Sequence, residues 1–231
     1  MTSIKVDKTD NRQKVIVSWS SGKDSTLTLL RLLESPEHEV VGLFTTHVKD
    51  SIPFQSTPLE IVKAQAKAIG LPLILQELPE VFPPNEVYQS LVISAIKNSG
   101  LKIDAVAFGD MFCNGIEDYR RSYIEPAGLQ CVFPLLGESS AALAKEIIQR
   151  EIKTFLTTVD TSQLDGIFVG REYDELLIDE LPESVDPCGE DGEFHTLVYD
   201  APCFSNKLNI QRGEFNRQGR FHFQESSFFR E

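Results

Sequence analysis

An alternation of short β-branched runs with longer stretches of helical period restricts the fold of this chain more than any other feature. Val15-Ile16-Val17-Ser18-Trp19 opens the series, a helix over 25–34 follows, and Val40-Val41-Gly42-Leu43-Phe44-Thr45 comes next. Thr57-Pro58-Leu59-Glu60 supplies an N-cap, a proline at N1 and a glutamate at N3 for a helix that runs to Ile69 and stops at Gly70. Leu73-Ile74-Leu75 reads as the third strand. Val87, Leu91, Val92, Ala95 and Ile96 then recur on one helical face, with Gly100 closing that helix. Ala105-Val106-Ala107-Phe108 reads as a buried strand ending in Gly109-Asp110, and Cys131-Val132-Phe133 follows a helix over 117–127. Strands joined by helical crossovers lie parallel and are covered on both faces, so the pattern predicts an α/β fold with a doubly wound, mainly parallel sheet. Ligands of such sheets bind at the carboxyl ends of the strands.

A further amphipathic helix, carrying Leu143, Ile147, Ile148, Ile152, Phe155 and Leu156, leads to a strand-like Gly166-Ile167-Phe168-Val169. Beyond about Glu172 the chain turns acidic and irregular. Thr196 to Tyr199 and Leu208 to Ile210 read there as short antiparallel strands, and Gly213 and Gly219 as flanks of polar turns. The expected organisation is a nucleotide-binding unit over 1–170 and a small mixed C-terminal extension over 171–231, which contributes the acceptor site. Hydrophobic residues make up 41% and charged residues 25%, which excludes disorder. A formal charge of -13 opposes a broad nucleic-acid surface, because phosphate-backbone binding needs clustered cations. Cys113, Cys131, Cys188 and Cys203 form no C-x-x-C pair, so buried free thiols are expected rather than a zinc site or a dithiol. The first residues, Met1 to Lys14, are polar and mixed in charge, and no apolar run has the length of a signal core or membrane span. The cytoplasm is therefore the expected location, with no membrane partner. A homo-oligomer is left open.

Directly after the first strand comes Ser20-Ser21-Gly22-Lys23-Asp24-Ser25, a turn of small residues that ends where a helix begins. Small side chains let the backbone approach phosphate oxygens, the helix N-terminus offers unpaired N–H groups and a positive dipole, and Lys23 adds a mobile, exposed cation whose removal should spare the fold. The alternative is a polar turn in which Ser20 or Ser21 caps the helix and Lys23 is solvated. The spacing excludes the G-x-x-x-x-G-K-[ST] loop, because Val17 stands where its first glycine would be, and the dinucleotide fingerprint G-x-G-x-x-G is absent from the turn.

The hexapeptide resembles the S-G-G-K-D-S loop of the PP-loop ATP pyrophosphatases, a Rossmann-like class, with Ser21 replacing a glycine. Two further segments, Phe108-Gly109-Asp110 with Asp118-Tyr119-Arg120-Arg121, and Asp186-Pro187-Cys188-Gly189-Glu190-Asp191-Gly192-Glu193-Phe194-His195-Thr196, resemble the diphthine-ammonia ligase family. That resemblance runs from about Val15 to Asp200. It implies a ligase that uses ATP and Mg²⁺: an acceptor oxygen attacks the α-phosphorus, pyrophosphate leaves, and ammonia then displaces AMP to form an amide. In that family the acceptor is diphthine, a modified histidine of elongation factor 2. The resemblance assigns Ser20, Gly22, Lys23 and Ser25 to the departing pyrophosphate and Asp24 to Mg²⁺. Read from the residues, Gly109-Asp110 at a strand end can reach the nucleotide or its metal, and Thr45, ending the second strand, lies where adenosine sits in related folds. Gly189 and Gly192 permit tight turns while Glu190, Glu193 and His195 converge on a polar acceptor, a proton or ammonium; the alternative is a solvated acidic loop. Trp19 reads as core and His47 as a loop residue. Rival functions are a PP-loop enzyme with another acceptor, including tRNA, and a non-catalytic adenine-nucleotide sensor.

Overall fold

The computed structural model describes residues 11–111 and 115–229. The first half builds β1 (Gln13–Ser18), α1 (Lys23–Glu34), β2 (His38–His47), the small pair β3 (Ser51–Ile52) and β4 (Thr57–Pro58), α2 (Leu59–Ile69), β5 (Leu73–Glu77) and α3 (Asn85–Lys97). Then come β6 (Ala105–Ala107), α4 (Ile116–Ile124), β7 (Gln130–Val132) and α5 (Ser140–Gln149). The last part holds β8 (Lys153–Asp160), α6 (Glu175–Glu180), β9 (Phe194–Asp200), β10 (Ile210–Gln218) and β11 (Phe221–Phe228).

The main sheet has the order β5-β2-β1-β6-β7, and every pairing in it is parallel. Successive residues of a strand face opposite sides. Val15, Val17 and Leu43 accordingly pack with Leu27 of α1, Val62 of α2 and Leu143 and Ile147 of α5. Ile16, Phe44 and Val106 pack on the other face with Val92 and Ile96 of α3 and Ile124 of α4. The sheet is therefore doubly wound. Its order runs outward in both directions from β1 and β6, and the crevice between their carboxyl ends is the ligand position of such folds.

A second sheet, β10-β11-β8-β9, is antiparallel throughout. Here the expectations need correction. The helix carrying Leu143 ends at Gln149, Glu151 turns the chain at a φ of 57°, and Ile152, Phe155 and Leu156 belong to a buried turn and to β8. Gly166–Phe168 is a 3₁₀ turn rather than a strand, with the Asp165 carboxylate accepting from Ile167 N. Gly213 lies inside β10, whereas Gly219 does occupy the hairpin turn. Pro58, not Thr57, takes the N-cap position of α2, and Gly70 ends that helix in the left-handed region as expected. Val87 is 39% exposed, so the buried face of α3 rests on Val92 and Ile96. Of the cysteines, Cys188 is buried and free, Cys131 and Cys203 are free and half-buried, and Cys113 lies outside the described residues. No helix among the described residues is long and apolar enough to cross a membrane.

Candidate functional site

The phosphate-loop segment leaves β1 at its carboxyl end and enters α1 two residues earlier than the sequence suggests, so Lys23 and Asp24 occupy the first helical turn. Gly22 is the N-cap, without a side-chain cap bond, so neither Ser20 nor Ser21 caps the helix. The first N–H groups of a helix lack intrahelical partners, and with the helix dipole they attract an anion. Ser20 Oγ lies 3.1 Å from Ser25 Oγ, and Ser25 Oγ donates to the Gly22 carbonyl at 3.0 Å, which closes the turn. Gly22 has a steric role: a Cβ there would lie 3.1 Å from the Thr196 carbonyl oxygen.

Ser21 holds a φ of 73°, a left-handed conformation that glycine adopts freely and other residues resist. Burial and bonding keep it there. Its hydroxyl lies 3.0 Å from Gln55 Oε1 and 3.1 Å from Thr57 Oγ1. Its carbonyl accepts from Val198 N of β9 at 3.0 Å and from Gln65 Nε2 at 3.1 Å. Gln65 also donates to the Val198 carbonyl at 2.7 Å and accepts from Trp19 Nε1 at 2.9 Å. This glutamine was missed from sequence, although a polar residue on the buried face of α2, beside Ile61, Val62 and Ala66, is the signal that marks it.

Lys23 is not the mobile cation that the sequence suggests. Its side chain is buried, and the ammonium pairs with Asp24 Oδ2 at 2.9 Å and donates a short bond to the Cys188 carbonyl. It lies 5.4 Å from the centre of the Phe194 ring and 5.7 Å from that of Tyr173. Burial is the largest single influence and pulls its pKa down, but the charge and hydrogen bond of Asp24 together with the charges of Cys188 and Glu190 outweigh it, and the net shift is upward. Burial also raises the Asp24 carboxyl, against the pull of Lys23, and Asp24 Oδ1 is buried without a hydrogen-bond partner.

The 189–196 block lies directly against this loop. Asp186 shapes it, accepting at Oδ1 from Cys188 N at 2.8 Å and from Glu190 N at 3.3 Å. Gly189 turns at a φ of 72°, where a Cβ would lie 2.9 Å from the Phe194 carbonyl oxygen, and Gly192 turns at 83°. Glu193 is buried; Oε1 accepts from Asp186 N at 2.8 Å, whereas Oε2 has no hydrogen-bond partner. Thr196 Oγ1 accepts from Lys23 N at 3.2 Å. His195 follows Glu193 by two residues, and burial, reinforced by the charge of Lys23, lowers its pKa to about 4.

Across the crevice, Gly109 presses on the start of α1, where a Cβ would lie 3.1 Å from both the Asp24 backbone carbon and Thr28 Oγ1. Asp110 pairs with Arg120 at 3.2 Å, and that guanidinium covers the Phe108 ring at 4.7 Å, so the two halves of the second motif meet in space. Thr45 donates its hydroxyl to the Trp19 carbonyl at 2.7 Å, and buried Trp19 is core as expected. Among the described residues no group of three or more His, Cys, Asp or Glu could hold a metal ion. Asp24 Oδ1, buried without a hydrogen-bond partner, is the carboxylate oxygen at the loop that could ligate a cation carried by a polyphosphate.

A doubly wound parallel sheet with a small-residue anion cradle at its switch point, roofed by a second sheet, defines a nucleotide-binding α/β protein. Residues 13–129 match the family model described as diphthamide synthase N-terminal domain, and residues 139–227 match diphthamide synthase C-terminal domain. The chain belongs to the diphthamide synthase family. Curated relatives agree: a diphthine–ammonia ligase of Schizosaccharomyces pombe is 26% identical, covering 84% of this chain and 36% of its own length. The chain thus spans about a third of that relative. The Danio rerio diphthine–ammonia ligase is 27% identical over 87% of this chain and 88% of its own, and that of Rattus norvegicus 24% over 87% and 84%. The solved U34-tRNA thiolase NcsA of Methanococcus maripaludis, with its 4Fe-4S cluster, aligns over 61% of this chain and 58% of its own at 16% identity and a TM-score of 0.39, too low to carry an argument.

Proposed function

We propose that the chain is an ATP-dependent ligase that joins ammonia to an acceptor carboxylate, with diphthine on an elongation-factor-2-like protein as the acceptor. One observation supports the reading: the 188–196 segment is hydrogen-bonded onto the phosphate loop through Thr196 and the Cys188 carbonyl, so that a second polar surface lies beside an anion cradle. ATP lies with its phosphates over Ser20, Ser21, Gly22 and Ser25, near Gly109 and Asp110. The acceptor enters along Glu190, Glu193 and His195. Mg²⁺ held by Asp24 and the phosphates, with Asp110 as the other candidate ligand, supplies charge neutralisation of the departing pyrophosphate. Lys23 keeps its positive charge beneath the loop, where low dielectric strengthens its field on the same anion.

The acceptor oxygen attacks the α-phosphorus and the bond to pyrophosphate breaks. Ammonia then attacks the acyl carbon and AMP leaves. The nucleophile must be neutral ammonia, and the unpartnered Glu193 Oε2 is suited to receive an ammonium ion and its proton. Positioning and neutralisation are the protein's main contributions, without a covalent enzyme intermediate. The test is AMP and pyrophosphate release from Mg-ATP and ammonium, with and without elongation factor 2 carrying diphthine. Stimulation by the factor supports ligase and acceptor together, AMP release indifferent to it rejects the acceptor, and ATP binding without cleavage rejects the ligase. Glu193→Gln should impair acceptor use far more than ATP binding.

A further inference from the structure

The turn between β8 and α6 lies against the β10–β11 hairpin and leaves a space between them. Two glycines let it come close. A Cβ on Gly166 would lie 2.1 Å from Nδ1 of the His222 ring, and one on Gly170, at a φ of 77°, would lie 2.7 Å from Gln224 Oε1. The turn is also fixed by its own bonds: Asp165 Oδ1 accepts from Ile167 N at 3.0 Å, Gly170 N donates to the Leu156 carbonyl at 2.8 Å, and the Gly170 carbonyl accepts from Arg212 Nη1 at 2.8 Å.

The hairpin is shaped to meet it. Its register shifts between Arg212 and Phe215, so that Gly213 and Glu214 lie opposite Glu225 alone, and Gln224 Nε2 donates to the Gly213 carbonyl at 2.9 Å. A bulge of this kind re-aims the side chains that follow it. Phe215 is thereby paired with Gln224 and Arg217 with His222, on the face that the turn covers.

Between these contacts remains a cavity of about 420 Å³, the size of a small-molecule site. Ile167, Val169 and Phe215 supply apolar walls, and Ile167 and Phe215 stay exposed to solvent. The charged groups that line it are Asp165 and Arg217, beside the His222 imidazole. Asp165 is engaged as the cap of the turn. Arg217 is not engaged: its guanidinium has no hydrogen-bond or ion-pair partner among the described residues, whereas every other arginine from Arg31 to Arg220 pairs with a carboxylate. In a chain with 35 Asp and Glu against 22 Lys and Arg, a guanidinium left unpaired at a cavity is an exception. A charge on an edge strand such as β10 also discourages pairing with another chain, but that role needs neither the cavity nor the two glycines.

We propose that this cavity binds a small organic carboxylate, with its apolar body between Ile167, Val169 and Phe215 and its carboxylate paired with Arg217. The planar donor fork of a guanidinium matches a carboxylate. In the order β10-β11-β8-β9 the site lies at the edge away from β9, the strand that touches the phosphate loop, so it is separate from the nucleotide crevice and does not depend on the ligase reading.

The probes are phenylacetate, its neutral amide phenylacetamide and the cation phenethylamine, titrated into the full chain carrying labelled isoleucine and valine methyl groups and followed by NMR. Phenylacetate should move the Ile167 and Val169 methyl signals and bind about fivefold more tightly than the amide, the scale of an exposed ion pair. Arg217→Gln should make acid and amide equal at an unchanged Tm, because the guanidinium has no partner in the fold to lose. Ile167→Ser, at a position 73% exposed, should weaken both alike. The proposal is overturned by equal binding of acid and amide to the wild type, by tighter binding of the amine, or by selectivity that survives Arg217→Gln. Methyl signals that do not move, or displacement of phenylacetate by Mg-ATP, would overturn it equally.

Discussion

Replacing Lys23 by methionine isolates the buried ammonium, because the new side chain fills most of the same space without a charge. The wild-type ammonium has a 3% exposed side chain, pairs with Asp24 at 2.9 Å and satisfies the Cys188 carbonyl. Removing one partner of a buried pair costs about 3–5 kcal/mol. Asp24 keeps 25% of its side-chain surface exposed, so water offsets part of that loss and ~2–3 kcal/mol is expected. For a chain of this size that is a fall in Tm of roughly 4–12 °C. Urea unfolding of Lys23→Met, Asp24→Asn and the double variant should give a coupling of about 1–2 kcal/mol, since asparagine no longer needs the cation. The pH dependence has a definite sign. The folded-state pKa of Lys23 is raised above its ordinary 10.5, so its stabilisation is complete below 10.5 and is lost as pH rises through the folded value. The gap between wild type and Lys23→Met should therefore close in alkali. A methionine variant within about 2 °C of the wild type, with no coupling to Asp24, would refute the buried latch and restore a solvated lysine.

His195 titrates near 4 in the fold against an ordinary 6.5, so the unfolded chain takes up a proton first and stability falls as pH drops from 6.5 towards 4, by at most ~3 kcal/mol; His195→Gln should flatten that limb of the stability–pH curve. Ser21→Gly relieves the left-handed backbone while losing the hydroxyl contacts, whereas Ser21→Ala loses the contacts and keeps the strain. The glycine variant should be the more stable by about 1 kcal/mol in urea, and equal stabilities would contradict the φ of Ser21. Gly109→Ala forces a methyl to within 3.1 Å of the Asp24 backbone. It should cost ~1–3 kcal/mol and weaken Mg-ATP binding at least tenfold by calorimetry, with an unchanged affinity counting against the close approach of β6 to α1.

The five parallel strands were legible because each combines an apolar run with a following helical period, a purely local pattern. The boundary between α5 and β8 was not. Ile147, Ile148, Ile152, Phe155 and Leu156 keep helical spacing across the helix end, and β8 is made a strand by partners far downstream, β9 and β11. Gly166 to Val169 looked like a strand for the same reason; the glycine is instead where the His222 ring lies, a Cβ there coming 2.1 Å from Nδ1. At the site, the residue types of the phosphate loop and of the 189–196 block could be read directly. The direction of Lys23 could not, because its acceptor is a backbone carbonyl 165 residues away. Nor could the left-handed Ser21, which Gln55, Thr57, Gln65 and Val198 hold from outside its own segment.

The bond from Val198 N to the Ser21 carbonyl has a bearing on modularity. The two halves of the chain look separable in sequence, and grafting the second half of one relative onto the first half of another is an obvious way to exchange acceptors. Yet the seam runs through the phosphate loop itself: β9 meets Ser21 there, Thr196 meets Lys23, and one amide, Gln65, spans both sides. A chimera cut between the halves would inherit mismatched surfaces at its most exacting point. Transfer should succeed only if Ser21, Gln65, Cys188 and Thr196 travel as a set, so the unit of inheritance is this contact, not either half.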